Sequence, residues 1–255
     1  MNIEKIPLSI VVITFNEEKN LRRCLNSASF AQDIVVLDSI SKDKTKEISL
    51  ACGARFYEQT WLGFGRQKKK AVGLAMFDWV LCLDADEEIS KDLHDELILR
   101  WSELKEDTGY KLPRLSFYLN KWIHHGGWYP DYQLRLFNRK FSQWSEDLIH
   151  EKVLSPKTEN FKSALNHYVF DDIADQVNTN NKYSSLQSEK MNHEGRRFNG
   201  FHFITKPMVK FIECYFYKMG FLDGWVGFII AISAAYSVFL KWAKLWELKE
   251  KRSVK

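Results

Sequence analysis

An apolar run at residues 80–83 ends abruptly in three carboxylates, Asp84, Asp86 and Glu87. The run shows no alternation of apolar and polar residues, which predicts a strand that is covered on both faces, as in a parallel sheet. Because positions i and i+2 of a strand share a face, Asp84 and Asp86 are expected to project together. Many α/β enzymes hold a divalent cation against a diphosphate at such a strand end, whereas an isolated Asp-x-Asp is more often a solvated acidic turn.

Two further apolar runs, at residues 8–13 and 34–37, also end at a polar turn. A helical pattern follows each run, so both predict a strand, a turn and a helix. The residues at these two strand ends are Thr14, Phe15, Asn16, Glu17, Asp38 and Ser39. Capping of the next helix is the alternative role for Asn16, whereas Asp38 can accept hydrogen bonds from a base edge or a ribose. Ligands of open α/β sheets bind at the carboxyl ends of the strands, so the three ends predict one shared site.

Missing motifs narrow the class of ligand. The sequence contains neither a Walker phosphate-binding loop nor a complete dinucleotide-binding glycine fingerprint. Binding of a diphosphate would then depend on a metal ion and on cationic side chains. The basic stretch at residues 61–70, which includes Lys68, can supply those cations, and the alternative is a solvated helix start.

The order of the predicted elements indicates an α/β fold. Strands alternate with helices as far as Trp101, and a hydrophobic content of 45% over 255 residues suffices for a packed core. Beyond about residue 160 the sequence becomes a polar helical stretch and then an aromatic, apolar and basic tail. We therefore predict an α/β domain over residues 1–160 and a mainly helical C-terminal region over residues 161–255.

The tail predicts an extension that associates with a membrane. Residues 206–255 carry nine Lys or Arg against four acidic residues, a net charge of +5, and residues 224–240 are an uncharged run. This run would span roughly 26 Å as a helix, short of the roughly 30 Å hydrocarbon core, which favours an interfacial helix over a transmembrane pass. Its expected membrane contacts are Trp225, Tyr236, Trp242, Trp246, Lys241, Lys244, Lys249, Lys251 and Arg252. A buried helix is the alternative, and nucleic acid is not an expected partner, because the charge does not line a polar groove.

The order of the motifs resembles a known family. The motifs are Thr14-Phe15-Asn16-Glu17-Glu18, Asp38-Ser39-x-Ser41-x-Asp43-x-Thr45, Gly63-Phe64-Gly65-x-Gln67-Lys68 and Leu83-Asp84-Ala85-Asp86-Glu87. Together they resemble the family 2 inverting glycosyltransferases, which have the GT-A nucleotide-diphospho-sugar transferase fold. The resemblance narrows to lipopolysaccharide core glycosyltransferases of the WaaE/KdtX type through Gly126-Gly127-Trp128-Tyr129-Pro130-Asp131, His150-Glu151-Lys152-Val153 and Gly220-Phe221-Leu222-Asp223-Gly224.

The resemblance implies transfer of a hexose, most often glucose from UDP-glucose, to an inner-core heptose with inversion. It implies that Asp86, aided by Asp84, binds Mg²⁺ or Mn²⁺ across the diphosphate. It also implies a nucleotide-binding set of Thr14, Phe15, Asn16, Glu17, Asp38, Ser39, Lys68 and Asp84. One departure is Ile40, where the family commonly has glycine or another small residue.

The acceptor side needs a base that takes the proton of the attacking hydroxyl. We favour Glu151, because the subgroup carries its His-Glu pair at this position, with Asp147 as the second candidate. Trp128 and Tyr129 are expected to stack on a sugar ring, the alternative being that they cap the core. Arg135 is expected to face an acidic acceptor.

Other functions stay open at this point. A different surface glycan or a polyprenyl-linked sugar is an alternative acceptor for the same chemistry. A sugar nucleotidyltransferase is a second alternative, although it would need a glycine-rich phosphate turn after the first strand. A non-enzymatic module that binds a membrane or a nucleic acid is the third. Residues 1–7 do not resemble a signal peptide, so we expect a cytoplasmic protein, peripheral on the cytoplasmic face of the inner membrane, with a UDP-sugar and a lipid-linked oligosaccharide as partners.

Overall fold

The computed structural model describes residues 5–145 and 152–253. The chain divides into two compact units. The first contains the residues up to Arg114 and Asp131–His167, and the second contains Leu115–Pro130 and the residues from Tyr168 onward. Asp147 and Glu151, the two candidates for the base, lie outside the described residues.

Strands and helices alternate through the first hundred residues. The strands are β1 (Ile6–Thr14), β2 (Ala31–Asp38), β3 (Arg55–Glu58), β4 (Trp79–Asp84), β5 (Glu87–Ile89), β6 (Thr108–Tyr118), β7 (Lys121–Ile123), β8 (Asp131–Asn138), β9 (Gln143–Trp144), β10 (Val153–Leu154), β11 (Lys157–Asn160) and β12 (Leu165–Tyr168). The helices are α1 (Leu21–Ser27), α2 (Thr45–Ala51), α3 (Phe64–Gly73), α4 (Lys91–Arg100), α5 (Ile173–His193), α6 (Gly200–Ile212) and α7 (Gly224–Ser253). The predicted α/β fold with a helical C-terminal extension is therefore confirmed.

The main sheet has the order β3-β2-β1-β4-β8-β6-β12-β5, with β7 and β11 also paired to β6. The first four strands are parallel, and β8 pairs with β4 in the antiparallel direction. Register places Thr14 opposite Asp38 and Ile13 opposite Asp84. The three strand ends identified in the sequence therefore lie side by side at one edge of the parallel sheet.

Both faces of this sheet are covered, which explains why the strands lack alternation. On one face Ile10 and Val12 belong to a core cluster with residues of α1 and α4. On the other face Val11 packs with Val72 of α3 and with Phe137 of β8. Helices therefore pack on both faces of the parallel strands.

The second unit is mainly helical, with α7 in contact with both α5 and α6. Phe203 of α6 and Phe239 of α7 place their ring centroids 4.9 Å apart. A π-helical turn over Glu213–Tyr217 and a 3₁₀ turn over Gly220–Asp223 lead from α6 into α7. A Cβ atom at Gly227 would lie 1.9 Å from the carbonyl oxygen of Gly220, so the start of α7 can approach this turn only with glycine at position 227.

One buried carboxylate, Asp33, joins several elements at the opposite ends of the strands. It accepts hydrogen bonds from Ser9 Oγ at 2.6 Å, from Arg55 Nε at 2.9 Å and from the Met76 amide at 2.8 Å. Burial by itself would raise the pKa of Asp33, but the hydrogen bonds from Arg55, Ser9 and Met76 outweigh burial and lower the pKa. The ionised form therefore stabilises the fold.

We predict that Asp33→Asn lowers the free energy of unfolding at pH 7 by about 2 kcal/mol, because a buried, charge-assisted network is lost. A lowered folded-state pKa stabilises the protein above the unfolded value of about 3.9 and loses that effect as the pH falls through the folded value. Urea unfolding between pH 7 and pH 3 should therefore show a shallower loss of stability on acidification in the variant. The exposed Asp92→Asn serves as the control, and an equal pH slope for wild type and Asp33→Asn would contradict the prediction.

Candidate functional site

The ends of β1 and β2 are joined through Asp38, which is buried. Its carboxylate accepts hydrogen bonds from Thr14 Oγ1 at 2.7 Å, from the Ser41 amide at 2.7 Å and from Ser41 Oγ at 2.5 Å. Ser39 donates its amide to the carbonyl of Thr14 at 2.9 Å. Thr14, Asp38 and Ser39, predicted separately from two motifs, thus form one rigid edge.

The loops after β1 and β2 also hold each other. Asn16 donates its amide to Ser41 Oγ at 2.7 Å and accepts the Lys42 amide on its side chain at 2.9 Å. Glu17 donates its amide to Thr45 Oγ1 at 3.0 Å. Phe15, between these anchors, is 57% exposed. The paired loops therefore present an aromatic ring to solvent from a fixed backbone.

Ile40 adopts an unfavourable backbone conformation in the turn after β2. Its φ is +65°, in the left-handed region that a β-branched residue rarely adopts, and its side chain is exposed. The neighbouring hydrogen bonds of Asp38 and Ser41 hold it there. Where the family commonly has glycine or another small residue, Ile40 thus places strain in the turn.

A chain of alternating charges surrounds the end of β4. Lys68 Nζ lies 2.9 Å from Asp84 Oδ1, and Arg135 donates to both Asp84 Oδ2 and Glu87 Oε1, the latter at 2.5 Å. Arg114 contacts Glu87 Oε1 at 3.3 Å and also pairs with Asp131. Arg135 is only 3% exposed, and both of its contacts use Nη2, while its buried Nε has no hydrogen-bond partner among the described residues. Its predicted contact with an acidic acceptor stays a prediction.

The pKa values follow from this arrangement. Burial would raise the pKa of Asp84, but Arg135 and Lys68 lower it well below its usual range. Burial and the carboxylates of Glu87, Asp86 and Asp84 raise the pKa of the Cys24 thiol well above its usual value. Asp84 is therefore an anion throughout the physiological range, and Cys24 is a protonated core thiol and not a nucleophile.

Asp86 differs from Asp84. The strand ends at Asp84 and a turn follows, so the two-residue period expected from the sequence does not extend to Asp86. Oδ2 of Asp86 lies 3.4 Å from His167 Nε2, and its Oδ1 is buried with no hydrogen-bond partner among residues 5–145 and 152–253. A buried oxygen without a partner indicates a missing ligand such as water or a cation. Asp86 and His167 could thus supply an oxygen and a nitrogen ligand to a divalent ion. The described residues contain no group of three or more His, Cys, Asp or Glu that could hold a metal ion by themselves.

A cleft of about 560 Å³ lies beside these charges, within the range of ligand sites. Its lining includes five cationic residues, Lys68, Lys111, Arg114, Arg135 and Lys152, together with Asp84 and the ring of Trp144. Lys68 Nζ also lies 5.0 Å from the centre of the Trp144 ring. This composition suits a ligand that carries several negative charges.

The predicted acceptor residues Trp128 and Tyr129 belong to the second unit. Trp128 packs with Tyr118 and Phe170 in a small core cluster, and Tyr129 lies edge-on to His124. Trp128 therefore caps a core, which was the alternative reading of its motif. Its contact with a sugar, like that of Tyr129, stays a prediction.

The model of glycosyl transferase family 2 matches residues 9–155. An uncharacterized glycosyltransferase of Rickettsia typhi is 31% identical over 268 residues, which cover 96% of this chain and 88% of the relative. Lipopolysaccharide core biosynthesis glycosyltransferase LpsC of Rhizobium meliloti is 28% identical over 258 residues, which cover 96% of this chain and 94% of the relative.

A solved structure of glucosyl-3-phosphoglycerate synthase from Mycobacterium tuberculosis, in complex with Mn²⁺, UDP-glucose and phosphoglyceric acid, is 24% identical to this chain. It covers 44% of each chain with a TM-score of 0.36. An overlap of this extent says nothing about the ligand or the reaction.

We predict that Arg135→Leu lowers the free energy of unfolding by about 3–5 kcal/mol, because it leaves the buried Glu87 and the partly buried Asp84 without their shared cation. Arg135→Lys keeps the charge but not the fork, and should recover part of the loss. Urea unfolding monitored by circular dichroism measures both. A Leu variant within about 1 kcal/mol of wild type would show that the charge chain does not stabilise the site.

Proposed function

The chain belongs to glycosyl transferase family 2, and from that premise we propose that it transfers glucose from UDP-glucose to an inner-core heptose of lipopolysaccharide with inversion. The observation that carries the proposal is the meeting of three polar strand ends beside a cationic cleft. The choice of acceptor is supported by the likeness to LpsC, which extends over 96% of this chain.

The paired loops after β1 and β2 are proposed to bind uridine. The exposed ring of Phe15 offers a stacking face for the base, and the backbone around Asn16 and Glu17 is held in place by the second loop. Asp38 and Ser39 lie at the edge that would face the nucleoside. The oxygens of Asp38 already accept three hydrogen bonds from Thr14 and Ser41, so Asp38 holds the loop in place. Contact with the nucleoside would be its second role.

The diphosphate is proposed to lie between Lys68 and Asp86. Mg²⁺ or Mn²⁺, when bound, neutralises the charge that develops on the leaving UDP. Asp86 would hold that cation through its unpartnered oxygen, with His167 beside it. Asp84 would aid this site mainly through its ion pair with Lys68, which sets the position of the ammonium group.

The transfer step is a single displacement. The acceptor hydroxyl oxygen forms a bond to the anomeric carbon on the face opposite UDP, and the bond from that carbon to the diphosphate oxygen breaks with its electron pair. Glu151 is proposed to take the hydroxyl proton, with Asp147 as the alternative. Attack from the opposite face inverts the anomeric configuration.

The acceptor side is proposed to use the remaining cations of the cleft. Lys111 and Lys152 can pair with phosphate or carboxylate groups on an inner-core sugar, whereas Arg114 already pairs with Glu87 and Asp131. Trp128 and Tyr129 are proposed as sugar contacts. We place the reaction at the cytoplasmic face of the inner membrane, where such a lipid-linked acceptor is anchored.

A panel of nucleotide sugars tests the proposal, offered with heptose-terminated core lipopolysaccharide and with either Mn²⁺ or a chelator. The proposal predicts a metal-dependent gain of one hexose on the acceptor and release of UDP, both read by mass spectrometry. Release of UDP without a heavier acceptor would reject the core-lipid acceptor. In a separate reaction with UTP and a sugar 1-phosphate in place of the nucleotide sugar, release of pyrophosphate would identify a sugar nucleotidyltransferase.

The role of the base gives a separate prediction. Glu151→Gln should lower kcat by about 10² to 10⁴-fold, as expected for loss of a general base, while the Kd for UDP changes less than about twofold. Asp147→Asn is the matched variant and should retain most of the activity. A larger loss in Asp147→Asn than in Glu151→Gln would exchange the two roles, and loss of UDP binding in Glu151→Gln would contradict a base.

A further inference from the structure

Two helices of the second unit each expose an apolar stripe. On α6 the stripe consists of Phe201, Ile204, Met208 and Ile212, spaced three or four residues apart and therefore on one side of the helix. On α7 it consists of Trp225, Ile232, Tyr236, Phe239 and Trp246, which also share one side. The turn between the helices adds Phe216, Tyr217, Met219, Phe221 and Leu222. We call these exposed residues together the apolar face.

The side chains of the apolar face are too exposed to form part of the core of the second unit. Tyr217 and Trp225 are 83% and 82% exposed. The most apolar 18-residue window of Gly220–Glu250 has a mean hydropathy of 1.7, yet only 22% of it is buried within the described structure. Exposed apolar side chains in such number are typical of a surface that contacts a protein or a membrane.

Polar contacts along α7 argue against a helix that crosses a bilayer. Lys244 Nζ donates to the carbonyl of Asn181 at 2.6 Å and to Ser184 Oγ at 2.9 Å, and Asn180 Nδ2 donates to Ser233 Oγ at 2.7 Å. These bonds hold α7 against the polar helix α5. If α7 crossed a bilayer, the bonds would have to break or α5 would have to enter the hydrocarbon core. Trp242 is buried, so it and Lys244 leave the set of membrane contacts expected from the sequence.

The charge around the apolar face is complementary to anionic lipid. Lys206 and Lys210 lie on α6, and burial together with Lys206, Arg196 and Lys210 lowers the pKa of Lys241. Lys206 Nζ lies 5.0 Å from the centre of the Trp242 ring, next to Lys241 in the sequence, so cations of α6 and α7 lie near one another. Anionic headgroups would offset the repulsion between them. Residues 206–255 as a whole carry a net charge of +5.

We propose that the apolar face docks on an anionic bilayer surface, with Tyr217 and Trp225 inserted at the boundary of headgroups and acyl chains and the lysines among the headgroups. The helices lie along the surface and do not cross it. The inference rests on the proposed function only in that a lipid-linked acceptor would be met there. Lipid binding itself needs neither donor nor turnover.

Cosedimentation of the full-length protein with sucrose-loaded vesicles tests the proposal, using phosphatidylcholine with and without phosphatidylglycerol. We expect binding that requires phosphatidylglycerol and weakens at high salt. The double variant Tyr217→Ser/Trp225→Ser should lower the partition coefficient at least about tenfold, since two large apolar side chains lose their burial. Leu99→Ser, at a 79% exposed position of α4 in the first unit, is the matched control and should bind as wild type does.

Equal binding of the double variant and wild type, or no binding of wild type, would overturn the proposal. Sedimentation velocity without lipid addresses the other occupant, a second copy of this chain. A wild-type dimer that the double variant abolishes, without binding to vesicles, would reassign the face to self-association. Mn²⁺-dependent UDP binding, measured in the same preparations, separates failure of this proposal from failure of the proposed function.

Discussion

The site depends on one set of buried ion pairs around the end of β4. Arg135 lies between Asp84 and Glu87; Arg135 and Glu87 are almost wholly buried, and Asp84 is partly buried. Removing charges from water is costly, and only close, opposed partners offset that cost. Lys68 on α3 and Arg114 on β6 extend this set of ion pairs, so elements that are distant in the sequence are held around one turn. The turn after β4 is therefore fixed before any ligand binds.

This arrangement divides the two aspartates of the Asp-x-Asp motif. Asp84 has a cation on each oxygen, whereas one oxygen of Asp86 has no partner in the part of the chain that the structure describes. A site in which one carboxylate orients cationic side chains and the other is open to a metal can stabilise a diphosphate from two sides. The loops after β1 and β2 are held in place in a different way, namely by hydrogen bonds between the two loops.

Much of this could be predicted from the sequence, because it depends on local patterns. Apolar runs without alternation indicate parallel strands, and parallel strands bring Thr14, Asp38 and Asp84 to the same edge. The roles of Glu87, Arg135 and His167 could not be obtained in this way. Their partners lie in other strands, and no spacing shows which strands become neighbours. Glu87 stood in the motif, but only the fold shows that it shares Arg135 with Asp84.

The C-terminal region shows the same limit. Composition predicts an apolar, basic helix, and α7 is present, but composition does not say which side of a helix is covered. Trp242 therefore seemed equivalent to Trp225, although one is buried and the other exposed. The sequence-based domain boundary at residue 160 stays a prediction. The second compact unit includes Leu115–Pro130, which lies between the two segments of the first unit in the sequence. A single boundary along the chain cannot represent this arrangement.

The most direct test of the account is the affinity for Mn²⁺ in the presence of UDP, measured by electron paramagnetic resonance for wild type, Asp86→Asn and Asp84→Asn. Circular dichroism establishes that each variant is folded. The account predicts that Asp86→Asn weakens Mn²⁺ binding at least about tenfold, because a direct carboxylate ligand is lost, whereas Asp84→Asn weakens it less. The opposite order, or equal affinity in all three proteins, would contradict the division between the two aspartates.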